Sequence, residues 1–132
     1  MLTTVIEPRF SDTDALGHIS NTAFPIWFED SRTSLFKIFH PTLDVKTWPL
    51  IIARTEIDFL AQSYWPKAVI VKTYISKIGN SSCTMIHEAW QQDKMVAKGL
   101  AIMIYFDYQL SKSMTLPDEI REQLKVYIQE SR

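Results

Sequence analysis

Residues 22–39, TAFPIWFEDSRTSLFKIF, form the stretch around which the rest of the chain is expected to fold. Apolar side chains recur in it at spacings of three and four, the period of an α-helix: Phe24, Trp27, Phe28, Leu35, Ile38 and Phe39. Ile26 makes the first two turns apolar nearly all round, which is typical of a buried helix. Pro25 is tolerated only in a first turn, so the helix is predicted to begin between Asn21 and Phe24 and to end at the His-Pro pair 40–41.

The segments around this helix alternate with the two-residue period of β-strands. We predict strands over 3–10, 50–61, 68–78, 82–91 and 94–107, and an amphipathic helix over 116–130. The apolar face of 50–61 is expected to carry Ile51, Ala53, Ile57, Phe59 and Ala61, and that of 94–107 to carry Val96, Leu100, Ile102, Ile104 and Phe106. Turn signals at Gly79-Asn80 and near Gln92-Asp93 predict that the last four strands form a meander. The apolar face of such a sheet must be buried against another element, and the apolar helix 22–39 is the candidate. The predicted architecture is therefore α+β: an antiparallel sheet wrapped around one long central helix, with a C-terminal helix.

Length and charge narrow the class of protein. The 132 residues predict one domain, 1–132, and 14 basic against 15 acidic residues give a net charge of -1. Neither nucleic acid nor an anionic membrane is therefore an expected partner, because both need a concentrated positive surface. No apolar run approaches the ~20 residues of a membrane helix, no signal-peptide pattern is present, and the single Cys83 cannot form an internal disulfide, so a cytoplasmic location is predicted. Large strand faces and edges predict a homo-oligomer.

The loop before the central helix, FSDTDALGHISN at 10–21, concentrates polar chemistry. Taken singly, its residues have ordinary explanations. Asp12 and Asp14 could be turn residues that bond their own main chain, Ser20 or Asn21 could be the helix N-cap, and His18 could be an ordinary surface histidine. Taken together they suggest more than a cap, since one helix start needs only one. The amides at the start of a buried helix can stabilise the oxyanion of acyl transfer, and a facing carboxylate can attack a carbonyl or activate water.

The stretch FSDTDALGHISNTAFPIWFEDSR resembles the signature of hotdog-fold acyl-CoA thioesterases of the 4-hydroxybenzoyl-CoA thioesterase type. Their pattern is an aromatic residue, then D-x-D-x-x-G-H-hydrophobic-x-N, then a helix with an E-x-x-R-like element, here Glu29 and Arg32. The resemblance continues through ARTEIDFLAQSYW, KIGNSSCTMIHEAW, MVAKGLAIMIYFD and LPDEIREQL, and so covers nearly the whole chain. It implies hydrolysis of a small or medium acyl-CoA by a homodimer or homotetramer that needs no cofactor.

The resemblance also implies roles for individual residues. Asp14 falls on the family's nucleophile or general base, the helix-start amide that polarises the thioester carbonyl falls at or near Asn21, and His18 lies beside the thioester. Asp12 is expected to hold the loop. Gly17 lets the loop turn. Together with it, the expected substrate-binding residues are Phe24 and Trp27 as the apolar acyl pocket, and Ser81 and Ser82, which match a G-x-S-S element near the ligand in relatives.

The remaining candidate metal-binding, nucleophilic and phosphate-binding residues have weaker support in the sequence. The three histidines lack the spacing of metal ligands, so no metal is expected, and Cys83 is read as a small buried hydrophobic residue. Candidate contacts for the phosphates of coenzyme A are Arg54, Lys72, Lys77 and Lys98. Glu29 is expected to pair with Arg32 at i,i+3. The alternatives are another hotdog enzyme such as a hydroxyacyl dehydratase, whose D-x-N-x-x-H pattern is not seen, and a non-catalytic protein that binds acyl-CoA or a small ligand.

Overall fold

The structure, a computed structural model, describes residues 1–130. Its helices are α1 (Ala23–Ser31), α2 (Thr33–Phe39) and α3 (Asp118–Lys125), and its strands are β1 (Leu2–Ile6), β2 (Leu50–Phe59), β3 (Val69–Ile78), β4 (Ser82–Gln91), β5 (Lys94–Asp107) and β6 (Lys112–Ser113). The sheet covers helices α1 and α2, so the predicted α+β architecture is confirmed. No helix among the described residues is long and apolar enough to span a membrane.

The order of the strands differs from the predicted meander. The sheet runs β1-β3-β4-β5-β2, with every pair antiparallel and β6 added to β5. Strands β3, β4 and β5 follow one another through the predicted tight turns, and Gln92 and Asp93 both have the positive φ of a type I′ hairpin. Strand β2 pairs with β5 instead of β3, because residues 60–68 are long enough to carry the chain to the other side of the sheet.

The predicted single helix over 22–39 is divided at Arg32. The Arg32 N–H donates to the Glu29 carbonyl in a tighter turn, and α2 begins at Thr33. On either side, the Ser31 hydroxyl donates to the Trp27 carbonyl at 2.7 Å and the Thr33 hydroxyl to the Asp30 carbonyl at 2.7 Å. Hydroxyls that bond the preceding turn in this way bend and interrupt helices.

The core lies between α1, α2 and the concave face of the sheet. Phe24, Trp27 and Phe28 of α1 pack on Val69 and Val71 of β3, and a second cluster forms around α2 and α3. The predicted apolar face of β5 is wrong beyond Val96, which is buried in the core; after it the buried face carries the small side chains Ala97, Gly99 and Ala101 together with Met103. Both faces of β5 are apolar, and the small residues turn inward because α1 passes so close to them: a Cβ on Gly99 would lie 2.9 Å from the Phe28 ring.

The predicted apolar face of β2 is also interrupted. Ala53 is an extra residue in the pairing with β5, where Ile52 opposes Met103 and Arg54 opposes Ile102. Such a bulge moves the inward face by one residue. Accordingly Leu50 is buried before the bulge and Ile57 packs on the core after it.

The C-terminal helix is shorter than the predicted 116–130. It ends at Lys125, and the following main chain pairs with β3, where the Ile75 N–H donates to the Tyr127 carbonyl and the Gln129 N–H to the Ile75 carbonyl, both at 2.8 Å. Leu124 is fully buried as expected, whereas Ile128 is exposed.

Candidate functional site

The loop before α1 is a compact, hydrogen-bonded unit anchored on Asp12. The Asp12 carboxylate is buried and accepts from the Arg9 main-chain N–H at 2.8 Å and from its guanidinium at 3.1 Å. Burial opposes ionisation, but the hydrogen bonds and charge of Arg9 outweigh it and hold the pKa of Asp12 below its usual value. The Asp12 carbonyl also accepts from the Ser20 N–H at 2.7 Å, which ties the start of the loop to the start of α1.

Asp14 is fixed by main-chain amides but keeps one oxygen open. Its Oδ1 accepts from the Leu16 N–H at 2.7 Å and from the His18 N–H at 3.1 Å, and its own N–H donates to the His18 carbonyl at 2.8 Å. Its Oδ2 lies 3.7 Å from His18 Nδ1, and its side chain is 41% exposed. Gly17 closes this turn with a φ of +82°, a conformation that side chains rarely adopt. The carboxylate therefore presents Oδ2, oriented beside an imidazole, toward solvent.

His18 packs on a second loop, which joins β2 to β3. Its ring meets Tyr64 edge-on at 5.2 Å, and the Ile19 N–H donates to the Ser63 carbonyl at 2.8 Å. The side chain of Gln91, buried at the end of β4, binds both main-chain groups of Tyr64 at 2.9 Å and the Lys67 carbonyl at 3.0 Å. Sequence reasoning missed Gln91, although a polar residue in register with inward-facing Ala89 offered a signal.

Helix α1 begins at Ala23, within the predicted range from Asn21 to Phe24. Thr22 is the N-cap residue, and the Ser20 carbonyl and hydroxyl accept from the amides of Ala23 and Thr22 at 3.0 and 3.3 Å. Within residues 1–130, the amides of Asn21 and Phe24 have no such acceptor, and Pro25 has no N–H. The donors that remain for a ligand at this helix start are those of Asn21 and Phe24.

Two cavities border α1. One is a groove of about 850 Å³ lined by Trp27, and the other is a smaller cavity of about 150 Å³ lined by Pro25 and Phe28. Phe24 lines neither, because it is buried against the rings of Trp27, Phe28 and Phe59. Asp14, His18, Gly17 and Asn21 line neither cavity as well.

The structure does not bring Ser81 and Ser82 to Asp14 within one chain. These residues follow the β3–β4 turn, where the Ser81 carbonyl accepts from Tyr105 and the Ser82 carbonyl from Gly79, both at 2.8 Å. Strand β3 separates this turn from the Tyr64 loop, and its ten residues span roughly 30 Å.

The candidate phosphate contacts are dispersed. Arg54 pairs with Glu56 on β2, Lys72 lies over the Trp90 ring at 4.9 Å from its centroid, and Lys77 is exposed. Lys98 is half-buried opposite the buried Glu88 in the pairing of β4 with β5. They do not form one basic cluster on the sheet.

A row of three buried polar side chains under α1, Arg32, His87 and Thr73, was not predicted. Arg32 turns inward, so that its Nη1 lies 3.4 Å from His87 Nε2, while His87 Nδ1 lies 2.9 Å from the Thr73 hydroxyl. Burial, reinforced by the charge of Arg32, lowers the pKa of His87 to about 3. The predicted Glu29–Arg32 ion pair is wrong, since none of the ion pairs within residues 1–130 includes Arg32. The alternation of His87 with inward-facing Met85 and Ala89 was the available signal.

Comparison with known proteins assigns the family. The profile of the Thioesterase-like superfamily matches residues 8–124. The chain belongs to this superfamily. The uncharacterized protein YsmA of Bacillus subtilis (strain 168) is 30% identical over 122 residues, which cover 90% of this chain and 82% of that protein.

Solved structures agree with this assignment. A predicted thioesterase from Bacillus stearothermophilus is 40% identical, with a TM-score of 0.95 over 98% of both chains. A thioesterase from Thermus thermophilus, complexed with coenzyme A and Zn, is 28% identical, with a TM-score of 0.83 over 95% of this chain and 92% of that one. The predicted hotdog fold and thioesterase family are thus confirmed, and the chain is a thioester hydrolase.

Proposed function

We propose that this thioester hydrolase acts on small or medium acyl-CoA substrates through Asp14, His18 and the amides at the start of α1. The observation that carries the proposal is the geometry of Asp14, whose Oδ1 is held by two amides while Oδ2 stays accessible beside His18. A carboxylate fixed in this way has Oδ2 free to act as a general base or as a nucleophile. The coenzyme A complex of the Thermus thermophilus relative supports the choice of acyl-CoA.

Two chemical routes use the same atoms. In the first, Asp14 Oδ2 takes a proton from a water molecule as that water attacks the thioester carbonyl carbon. In the second, Oδ2 attacks the carbonyl itself, and water then cleaves the resulting acyl anhydride. In both, the C–S bond breaks and coenzyme A leaves as its thiol or thiolate. The edge-on contact with Tyr64 fixes His18 so that its Nδ1 orients Oδ2 or the water.

The developing oxyanion needs donors on the opposite side of the carbonyl. The amides of Asn21 and Phe24 supply them, aided by the positive end of α1, whose nine residues align their dipoles toward this end. The link from the Asp12 carbonyl to the Ser20 N–H fixes the distance between the loop and the helix start. The two halves of the site are therefore preorganised by one set of main-chain bonds.

The entrance to the site and the nucleotide contacts involve a second copy of the chain. Asp14 lines neither cavity beside α1, and Ser81 and Ser82 lie at the far end of β3. Within residues 1–130, strand β2 is at the edge of the sheet and pairs only with β5, and it carries exposed Ile52 and Phe59. An edge of this kind is suited to pairing with a second subunit. A homodimer, or a tetramer made from it, is part of the proposal.

A panel of acyl-CoA thioesters, with free thiol measured by a colorimetric reagent, tests the function. We expect turnover of at least one short, medium or aromatic acyl-CoA well above the rate without protein. Calorimetric titration with coenzyme A runs in parallel. Binding with no turnover of any thioester would instead identify a non-catalytic acyl-CoA binding protein, and absence of both would reject acyl-CoA as the ligand.

A further inference from the structure

The smaller cavity beside α1 is lined by a buried charge. It has a volume of about 150 Å³ and lies between the face of α1 from Pro25 to Arg32 and strands β2, β4 and β5, with apolar walls from Phe28, Ile57 and Leu100. Arg32, Glu29, His87 and Thr55 supply its polar lining. A cavity of this size holds a group about as large as benzene.

Arg32 has donors that the protein does not use. The residue is only 4% exposed, and its Nε has no hydrogen-bond partner within residues 1–130. It makes no ion pair with a carboxylate in the described part of the chain. Buried N–H groups are almost always paired, because an unpaired one loses its bonds to water without replacement. The unpaired Nε of a residue that lines a cavity therefore points to a ligand.

His87 determines what that ligand must offer. Arginine can only donate, so His87 Nε2 accepts from Arg32, and the neutral ring must then carry its hydrogen on Nδ1 and donate to the Thr73 hydroxyl. Phe28 stacks on the same ring at 5.1 Å and 11° between planes, which prevents it from turning. The imidazole thus has no donor left for the cavity, and the donors that remain in its lining are the guanidinium and the Thr55 hydroxyl. A matching ligand supplies an acceptor oxygen.

Charge favours a neutral acceptor over a carboxylate. Arg32 and Glu29 both line the cavity, so their charges already balance, and the charge of Glu29 acts on Arg32 although the two make no ion pair. A hydroxyl or oxo oxygen would use the free donor without changing this balance, whereas a carboxylate would leave an excess negative charge in a partly desolvated place.

We propose that this cavity receives the acyl group of the substrate and that Arg32 Nε donates to a neutral hydroxyl or oxo oxygen at its far end. The proposal rests on the function proposed above. Ala23 and Phe28 are five residues apart in α1, or about 8 Å along its axis. Because the carbonyl is held near Ala23 and the guanidinium contacts the His87 ring on which Phe28 stacks, the oxygen should be five or six carbons from the thioester.

The test compares three CoA thioesters of equal length on the wild-type protein: heptanoyl, 6-oxoheptanoyl and heptanedioyl. We expect kcat/KM for 6-oxoheptanoyl-CoA to exceed the values for the other two at least tenfold. Equal values for the heptanoyl and 6-oxoheptanoyl thioesters, or preference for the heptanedioyl thioester, would overturn the proposal while leaving the thioesterase function intact.

Binding of non-hydrolysable thioethers separates this inference from the proposed activity. S-(6-oxoheptyl)-CoA should bind at least tenfold more tightly than S-heptyl-CoA in calorimetry. If no thioester is hydrolysed but this preference is found, the activity fails and the cavity assignment holds. Equal affinities, or no binding of either thioether, would reject the cavity assignment.

Arg32→Lys removes Nε and keeps the charge. The ratio of kcat/KM for 6-oxoheptanoyl-CoA to that for heptanoyl-CoA should fall at least tenfold in this variant, provided circular dichroism shows a folded protein. The matched control is Arg121→Lys on α3, where Arg121 donates to the Gly79 carbonyl in a distant turn. It should leave the ratio unchanged, and an unchanged ratio in folded Arg32→Lys would contradict the assignment.

Discussion

Two aspartates two residues apart have different surroundings, and we propose that they have different roles. Asp12 is buried, with its carboxylate bound by Arg9, and it holds the loop together. Asp14 has one oxygen held by amides and one oxygen toward solvent and His18. The family resemblance predicted that Asp12 holds the loop, with which its contacts to Arg9 agree, and that Asp14 is catalytic, which stays a prediction. It did not predict Arg9 as the partner, because a turn of three residues brings together side chains that no periodicity relates.

Protonation of His87 is expected to destabilise the fold in acid. Its pKa in the folded protein is about 3, below the ordinary value of 6.5, so between these values the unfolded chain binds more protons. The stability that neutral His87 contributes is therefore complete above pH 6.5 and is lost as the pH falls toward 3, at up to about 1.4 kcal/mol per pH unit. Urea unfolding at pH 7 and pH 5 should show a smaller difference in His87→Gln than in the wild type.

The matched control for this prediction is His40→Gln. His40 is only partly buried and its ring contacts the Asp44 carbonyl and the Thr47 hydroxyl in a loop. That variant should keep the pH dependence of the wild type. An unaltered dependence in His87→Gln would show that this imidazole is not the group responsible.

At the scale of elements, the sequence predicted which segments are helices and strands but not how they are interrupted. The hydrophobic period found both α1 and α2 and missed the break at Arg32, because that break depends on hydroxyl bonds to the preceding turn. Alternation found β2 and missed the bulge at Ala53, because a single extra residue leaves the local pattern apolar on either side. The inward orientation of Arg32 was also missed. Its i,i+3 spacing from Glu29 is typical of a surface ion pair, and only the packing of α1 on β4 turns its side chain toward His87.

The loop under His18 depends on one side chain of β4. Replacing Gln91 with Met keeps the length of the side chain and removes its three bonds to Tyr64 and Lys67. We expect a loss of about 2 kcal/mol in the free energy of unfolding and faster hydrogen exchange at the Tyr64 amide. Gln62→Met, at an exposed position, should change neither. Wild-type protection at Tyr64 in the Gln91 variant would show that the loop is held by other contacts.

At the scale of the whole molecule, the proposed assembly depends on the edge strand β2. Beyond β2 no further strand of the described chain pairs, and Ile52 is exposed on it. Light scattering should give twice or four times the mass of one chain. Ile52→Arg should shift the mass toward one chain, because a charge at such an edge disfavours pairing. Val45→Arg, at an apolar position that is 80% exposed and lies outside the strands, is the control. A wild-type protein that stays monomeric at high concentration would contradict the proposed assembly.

The most direct test of the central claim is the hydrolysis rate of Asp14→Asn on the best acyl-CoA of the panel. The amide oxygen can still accept from Leu16 and His18, so the loop should keep its form while Oδ2 is replaced by a group that neither attacks nor takes a proton. We predict a loss of about 100-fold or more in kcat with little change in coenzyme A affinity or thermal stability, and near-normal turnover in Asp118→Asn at the start of α3. Near-normal turnover in Asp14→Asn would contradict the account.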